Sequence, residues 1–199
     1  RLLSRQSAHS ASLTGNHERL RPLNRGTAQF GGQVDFEFLS TDLSAASDNI
    51  PHEVAQAIWR GISLALGDRL PPLYHDVGLA ALGPQRLVVR GEEVASTRGI
   101  LMGLPLTWPI LSLLQDYCAE VAQKATQADV QTFRGAYAIC GDDMVAAWTR
   151  RNTAAYMREA ERVGLVINRA KTYRSSIGAV FTEELYLITE HQREVPQSI

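Results

Sequence analysis

Three aspartates have the type and spacing to hold a divalent metal ion. Asp142 and Asp143 follow Gly141 between two apolar runs, so the sequence predicts a tight turn with two carboxylates at its tip. Asp42 comes shortly after residues 34–39, whose apolar and polar side chains alternate as in a β-strand. If the two predicted strands lie side by side, we expect Asp42 to face Asp142.

A cluster of carboxylates is unfavourable unless a cation neutralises it. Two carboxylates about 4 Å apart repel by roughly 4 kcal/mol at an effective dielectric constant near 20. Their hard oxygen atoms suit Mg²⁺ or Mn²⁺, and substrate phosphates can complete the coordination shell. Two such ions about 3.5–4 Å apart could activate a 3′-hydroxyl and stabilise a leaving pyrophosphate. An isolated Gly-Asp-Asp triplet is more often a polar turn, so the spacing permits this chemistry without establishing it.

The elements that must position these residues predict an α+β domain, with a small antiparallel sheet backed by helices. Pro51 favours the start of a helix with one apolar stripe, and Gly91 suits the turn of a hairpin. Thr107 and Asn152 are each suited to cap a later helix. The predicted elements are a strand at 34–39, a helix at 51–66, a hairpin at 86–97, a helix from Thr107, a strand–turn–strand unit at 137–148, a helix from Asn152 to residue 163, and strands at 165–167 and 179–187.

Five segments in a fixed order resemble the motifs of viral RNA-dependent RNA polymerases. Residues 41–48 (TDLSAASD) are similar to motif A, 99–112 (GILMGLPLTWPILS) to motif B and 141–143 (GDD) to motif C. Residues 168–172 (NRAKT) resemble the end of motif D, and 176–183 resemble motif E. The set is most similar to the levivirus, mitovirus, narnavirus and botourmiavirus lineage, and within it to the narnavirus-like members. The order of the whole set carries the resemblance.

The resemblance implies a role for each matching polar residue. Asp42 and Asp142 would coordinate two Mg²⁺ or Mn²⁺ ions, with Asp143 nearby in support. Asp48 would read the ribose 2′-hydroxyl of the incoming nucleotide together with Thr107. A 2′-hydroxyl both donates and accepts hydrogen bonds, so a carboxylate beside a hydroxyl can select ribose over deoxyribose.

Two further positions also receive roles from the resemblance. Gly103 would let the motif B loop approach the template and the nascent pair, because glycine permits backbone shapes that other residues resist. Lys171 would protonate or electrostatically stabilise the leaving pyrophosphate. Structural alternatives stay open: Asp48 could simply begin a helix, Thr107 could be only a cap, Gly103 could serve packing, and Lys171 could be a solvated side chain. Trp108 is expected in the core.

The implied protein is the palm of a larger polymerase, an RNA-directed RNA polymerase (nucleotidyltransferase) that replicates a viral RNA genome. We expect residues 1–33 to form an irregular segment leading from the fingers, 34–188 to form the palm, and 189–199 to begin the connection to a missing thumb. Its partners would be an RNA template with its nascent strand, ribonucleoside triphosphates, and the missing fingers and thumb. Replication would take place in the host cytoplasm, with mitochondrial replication as the open alternative.

Composition agrees with a palm but does not indicate nucleic-acid binding by itself. The 199 residues carry a formal net charge of −1, with 20 basic and 21 acidic residues. Fingers and thumb usually supply much of a polymerase's basic surface, and no convincing basic motif F, the finger segment that grips triphosphates, is found in the sequence. The uncharged stretch 99–115 contains two prolines and falls short of the roughly 20 apolar residues of a membrane helix, so we expect no membrane segment.

Three other functions stay open. A reverse transcriptase shares the palm and its two-metal chemistry, although Cys140-Gly141 lacks the aromatic residue that usually stands two positions before the aspartate pair. A non-catalytic, endogenised viral remnant is the second, although all three carboxylates are present. The third is a binding module whose motifs arose by chance. A serine or cysteine hydrolase is not supported, because no G-x-S-x-G elbow occurs.

Overall fold

The computed structural model describes Leu23, residues 35–124, residues 136–188 and the backbone of residues 194–198. The segments predicted to lead from the fingers, 1–33, and towards the thumb, 189–199, therefore lie almost wholly outside the described residues.

The helices are α1 (Ala46–Asn49), α2 (His52–Leu66), α3 (Pro72–Ala81), α4 (Thr107–Lys124) and α5 (Arg150–Arg162). The strands are β1 (Phe36–Thr41), β2 (Arg86–Val89), β3 (Glu92–Ala95), β4 (Tyr137–Cys140), β5 (Asp143–Thr149), β6 (Tyr173–Ser175), β7 (Gly178–Phe181), β8 (Glu184–Ile188) and β9 (Glu194–Ser198).

Four antiparallel strands form the central sheet, in the order β4-β5-β1-β6. Along the chain, β1 is followed by helices, then by the β4–β5 hairpin, then by α5 and β6, which is the β-α-β-β-α-β arrangement of RRM-like domains. Strand β1 pairs with β5 from Phe36 opposite Thr149 to Thr41 opposite Met144. The α+β fold with a small antiparallel sheet is therefore confirmed. Strands β2 and β3 form the predicted hairpin, and β7, β8 and β9 form a third sheet.

The central sheet is buried on both faces. On one face, Trp148 of β5 packs against Tyr156 of α5 with ring centroids 5.9 Å apart, within the larger core that α4 and α5 complete. On the other face, Phe38 and Val145 pack with Phe181 of β7. Alternate residues of β1 and β5 thus face different layers, as the twofold period of a strand requires.

In the described ranges, none of the helices is long and apolar enough to cross a membrane.

The N-terminus of α5 differs from the prediction, because Thr149 and not Asn152 is its cap. The Thr149 hydroxyl accepts a hydrogen bond from the Asn152 backbone N–H and donates one to Asn152 Oδ1. The Asn152 side chain instead donates to the Ala122 carbonyl at 3.0 Å and so ties α5 to α4. A buried amide that bridges two helices cannot be told from a cap by its position in the sequence alone.

Of the two last predicted strands, the first is wrong and the second is present as two strands. Residues 165–167 make only an isolated bridge, between Leu43 and Ile167, and the strand beside β1 is β6. The segment 179–187 is a hairpin and not one strand, because Thr182 and Glu183 adopt positive φ angles of 49° and 66° and reverse the chain.

The apolar stripe predicted on α2 is only partly correct. The buried apolar residues of this helix are Ala55 and Trp59, whereas Ala57, Gly61 and Ala65 are exposed. Trp59 lies in the core, and its buried indole N–H is satisfied by donating to the His75 carbonyl of α3 at 2.9 Å.

Candidate active site

The Gly-Asp-Asp segment forms the turn predicted for it. Strands β4 and β5 pair through Cys140 and Asp143, which leaves Gly141 and Asp142 as the two-residue connection. Gly141 has a φ of +62°, in the left-handed region that favours glycine. Asp142 is exposed at the tip and Asp143 is half-buried at the start of β5.

Asp42 reaches the same end of the sheet because β1 lies beside β5. Thr41, the last residue of β1, is opposite Met144, so continuing this register by one residue brings Asp42 to the level of Asp143. The prediction that the two strands are neighbours is confirmed. The prediction that Asp42 faces Asp142 itself stays a prediction, because Asp142 belongs to the turn between β4 and β5.

The carboxylates form one electrostatic cluster with a lysine. Desolvation raises the pKa of Asp143 to about 6, and the negative charges of Asp142 and Asp42 act in the same direction. Lys171 opposes the shift, and Glu183, in the β7–β8 turn, adds weakly to it. The structure thus brings together all four residues predicted to be catalytic from the motif resemblance.

Asp42 is oriented by a residue to which the sequence assigned no role. Asn168 Nδ2 donates to Asp42 Oδ2 at 2.8 Å, and the Asn168 backbone N–H donates to the Asp42 carbonyl at 2.9 Å. Lys171 Nζ lies 3.9 Å from the same Oδ2, and its exposed ammonium makes this a weak ion pair. The sequence feature that could have pointed to Asn168 is its position in the segment that resembles the end of motif D.

Two side chains of α4 pack against the turn from behind. An ideal Cβ on Gly141 would lie 2.8 Å from Trp108 Nε1, so the indole rests directly on the turn backbone. Trp108 is 37 % exposed, and its predicted place in the core is therefore wrong. Gln115 Nε2 donates to the Gly141 carbonyl at 2.5 Å. The sequence signal for Gln115 was a single amide within the apolar face of a helix.

The residues predicted to bind the nucleotide lie on two neighbouring segments. Asp48 is exposed in α1, and Gly103 has a φ of +92° in the loop before α4, with open space where a Cβ would be. Thr107 is the first residue of α4 and is only 6 % exposed. Its hydroxyl donates to the Leu101 carbonyl at 2.6 Å, which braces the loop and leaves the oxygen lone pairs for any further contact.

Backbone hydrogen bonds join these two segments. The Ile100 N–H donates to the Ser47 carbonyl at 3.0 Å, and the Gly99 N–H donates to the Ile50 carbonyl at 2.8 Å. The start of the motif B loop is therefore fixed against the helix that carries Asp48, although the two are about fifty residues apart in sequence.

The donor set fits a hard divalent cation. Among the described residues, no three His, Cys, Asp or Glu side chains converge into a preformed metal site. Mg²⁺ does not require one, because it keeps several waters and uses one or two carboxylates together with substrate phosphates. The pKa of Asp143 is raised chiefly by burial and further by the negative charges of Asp142 and Asp42, and a bound cation would neutralise that charge.

Replacing Asp143 with asparagine is expected to stabilise the metal-free chain. The pKa of Asp143 is raised from 3.8 to about 6, so the folded chain holds this proton more tightly than the unfolded chain. Ionisation of Asp143 therefore lowers stability as pH rises from about 4 to about 6, and the loss persists above pH 6. Since the side chain is half-exposed, we expect about 1 kcal/mol, or roughly 2–4 °C in Tm at pH 7.5.

Thermal unfolding in EDTA at several pH values measures this effect. The advantage of Asp143→Asn over the wild type should shrink as pH falls from about 6 and approach zero only below the unfolded pKa of 3.8, where the wild-type carboxyl is protonated in both states. Asp68→Asn, on an exposed 3₁₀ turn, is the control and should leave Tm unchanged. A variant less stable than the wild type at pH 7.5 would contradict the electrostatic cluster.

Two curated relatives match most of the chain, whereas no protein-family model matches it. The RNA-directed RNA polymerase of Saccharomyces 23S RNA narnavirus is 38 % identical over 162 residues, which cover 77 % of this chain and 17 % of that protein. The polymerase of the same name from Saccharomyces 20S RNA narnavirus is 38 % identical over 153 residues, which cover 74 % of this chain and 18 % of that protein. The chain thus spans under a fifth of the length of these relatives.

A solved structure matches the fold over nearly the whole chain. The insertion-loop deletion mutant of the RNA-dependent RNA polymerase of a human picobirnavirus superposes with a TM-score of 0.70 and 15 % identity. The match covers 98 % of this chain and 38 % of that chain, and at this identity it shows the fold alone. Over about three quarters of its length, this chain is therefore a relative of the narnavirus RNA-directed RNA polymerases, and its fold is that of a viral polymerase palm.

Proposed function

We propose that this chain is the catalytic palm of a viral polymerase that joins ribonucleotides on an RNA template. The observation that carries the proposal is the meeting of Asp42, Asp142 and Asp143 at one end of the central sheet. The two narnavirus relatives bear the name of that activity. Because the chain spans under a fifth of their length, RNA and nucleotide binding would belong to the whole polymerase, with fingers and thumb outside this chain.

Each residue of the site would have a distinct task in nucleotide addition. Bound Mg²⁺ or Mn²⁺ ions, two in number, would supply Lewis-acid activation of the attacking hydroxyl and neutralise triphosphate charge. Asp42, Asp142 and Asp143 would hold these ions, and Asn168 would keep the Asp42 carboxylate in one orientation. As the 3′-oxygen bonds to the α-phosphorus and the bond to the β-phosphate breaks, Lys171 would give a proton or its positive charge to the leaving pyrophosphate.

Primer extension by the full polymerase that contains this chain tests the proposal. We expect incorporation of ribonucleotides on an RNA template with Mg²⁺ or Mn²⁺, and none in EDTA. Equal incorporation of deoxyribonucleotides would favour a reverse transcriptase, and metal binding without incorporation would favour an inert viral remnant. The names of the relatives favour neither alternative.

The 199-residue chain alone is expected to behave differently from the full polymerase. Because the proposal places the fingers and thumb outside this chain, we expect the chain alone to bind Mg²⁺ or Mn²⁺ weakly and to extend a primer poorly or not at all. Calorimetric metal titration and the same primer-extension assay measure the two properties. Efficient synthesis by this chain alone would overturn its assignment as a palm that depends on other domains.

Substitution of Asp48 is expected to relax the choice of sugar. If its exposed carboxylate accepts a hydrogen bond from the ribose 2′-hydroxyl, Asp48→Ala should lower the ratio of kcat/KM for a ribonucleotide over its deoxy counterpart by at least about tenfold. Glu53→Ala, an exposed carboxylate on the next helix, is the matched control and should leave the ratio unchanged. An unchanged ratio in Asp48→Ala would restrict Asp48 to a structural role in α1.

We also propose that this polymerase works in the host cytoplasm, on the basis of its resemblance to narnavirus-like polymerases. The mitochondrion is the competing compartment, since mitovirus polymerases belong to the same resembling lineage. Fractionation of host cells, followed by assay of polymerase and product RNA in the cytosolic and mitochondrial fractions, distinguishes the two.

A further inference from the structure

Two buried polar side chains connect the Gly-Asp-Asp turn to both helices behind the sheet. Gln115 of α4 is 0 % exposed, and its Nε2 donates to the Gly141 carbonyl at 2.5 Å. Tyr156 of α5 is also 0 % exposed, and its hydroxyl donates to Gln115 Oε1 at 2.6 Å. The Gln115 amide is therefore fixed at both ends, by the turn on one side and by the phenol on the other.

The orientation of the turn follows from this hydrogen-bonded pair. The Gly141 carbonyl belongs to the planar peptide group that continues into the nitrogen and Cα of Asp142. Fixing that oxygen fixes the direction in which the chain leaves Gly141, and hence the starting direction of both carboxylates. An apolar pair of similar size could fill the same core volume, but it could not orient a peptide group.

The same phenol lies close to the strand end that carries Asp42. The Thr41 hydroxyl lies close enough to the Tyr156 phenol to affect the pKa of that phenol. Within the described residues, the Thr41 hydroxyl oxygen makes no hydrogen bond of good geometry. Burial raises the pKa of Tyr156, so the phenol stays protonated and remains a donor at any working pH. Tyr156 is thus placed between the elements that bring Asp42 and the Gly-Asp-Asp turn together.

We propose that Gln115 and Tyr156 are positioning residues for metal binding: through the Gly141 carbonyl, they set the carboxylates of Asp142 and Asp143 in relation to Asp42. The inference rests on the polymerase function proposed above. Neither side chain reaches the solvent-exposed tip of the turn, so both act on the reaction through the backbone.

Three variants and a control separate positioning from packing. Tyr156→Phe removes one hydroxyl at nearly constant volume, Gln115→Leu removes both hydrogen bonds, and the double variant tests whether they act as one unit. Tyr137→Phe is the matched control. Tyr137 is 5 % exposed and its hydroxyl donates to Asp116 Oδ1 of α4 at 2.6 Å, so the substitution removes a buried phenol hydroxyl whose bond runs to Asp116.

In the full polymerase, Gln115→Leu is expected to lower kcat for nucleotide addition by about 30- to 100-fold, the scale of a misplaced reacting group. The Mg²⁺ concentration for half-maximal rate should rise several-fold, while KM for the nucleotide changes by less than about twofold. Tyr156→Phe should lower kcat by roughly 3- to 10-fold. The double variant should be no slower than Gln115→Leu, because the phenol acts through the amide. Tyr137→Phe should keep kcat within about twofold of the wild type.

Equal losses of kcat in Tyr156→Phe and Tyr137→Phe would overturn the inference, as would losses that multiply in the double variant. If Gln115→Leu does not fold, the comparison of the two tyrosine variants decides alone. An inactive wild type would refute the proposed function instead. The apparent affinity for Mn²⁺, measured by calorimetry, would then decide the inference: weaker binding in Tyr156→Phe but not in Tyr137→Phe supports positioning, and equal binding overturns it.

Discussion

Replacing Asp42 with asparagine is expected to lower RNA synthesis by the full polymerase at least about a thousandfold. The amide has no charge to hold a divalent ion, and loss of several kcal/mol of transition-state stabilisation corresponds to three or more factors of ten. Since the substitution also relieves repulsion within the cluster around Asp143, the metal-free variant should not be less stable than the wild type. Single-turnover nucleotide incorporation and Tm in EDTA measure the two effects separately.

Asp68→Asn is the control for this prediction. It removes one negative charge from an exposed 3₁₀ turn outside the site, so activity and metal dependence should match the wild type. Activity of Asp42→Asn within tenfold of the wild type would show that Asp42 is not a metal ligand. Loss of activity together with a large fall in Tm would point to a structural role, through the hydrogen bond from Asn168.

Gly141→Ala is expected to destabilise the chain by about 2–4 kcal/mol. A side chain at a left-handed φ costs roughly 1–2 kcal/mol, and overpacking against a fixed neighbour costs about 1–3 kcal/mol. Both apply at Gly141, where φ is +62° and a Cβ would lie 2.8 Å from Trp108 Nε1. We expect Tm to fall by roughly 5–15 °C in thermal unfolding, and nucleotide addition to fall with it because the carboxylates move.

Gly91→Ala isolates the backbone part of this effect. Gly91 also has a positive φ, +85°, but nothing lies within 4 Å of its Cβ position, so only the conformational cost applies. The second substitution Trp108→Ala in Gly141→Ala should recover part of the lost Tm, because it removes the crowding. A loss of stability at Gly141 no larger than at Gly91 would show that the indole does not confine the turn.

The location of the site could be predicted from the sequence, but its register and its supporting residues could not. The three aspartates could be identified because Asp42 follows a predicted strand, and Asp142 and Asp143 lie in a predicted tight turn. Whether Asp42 meets Asp142 or Asp143 depends on how many residues the turn consumes, which only the pairing of β4 with β5 decides. Gln115 and Asn168 act on partners 26 and 126 residues away, and no local pattern reports such contacts.

The elements of the fold that depend on nearby residues could likewise be predicted, whereas an element held by distant contacts could not. The hairpin around Gly91 and the long helices follow from turn residues and apolar spacing, and they are present. Strand β6 is short and mostly exposed, and it has no apolar alternation that could reveal it. It is held beside β1 in part by Arg174, whose guanidinium donates to both oxygens of the buried Glu37 carboxylate. An ion pair across more than a hundred residues leaves no periodic signal.

The pairing of β1 with β5 also constrains when the site can exist during synthesis. These strands join residues about a hundred positions apart, and a sheet that closes so long a loop forms slowly compared with its local helices and hairpins. Until β5 has left the ribosome and docked beside β1, Asp42 has no second carboxylate near it. A stalled or truncated product that ends before β5 therefore lacks the cluster altogether, and the first appearance of divalent-ion binding would report the docking of β5 beside β1.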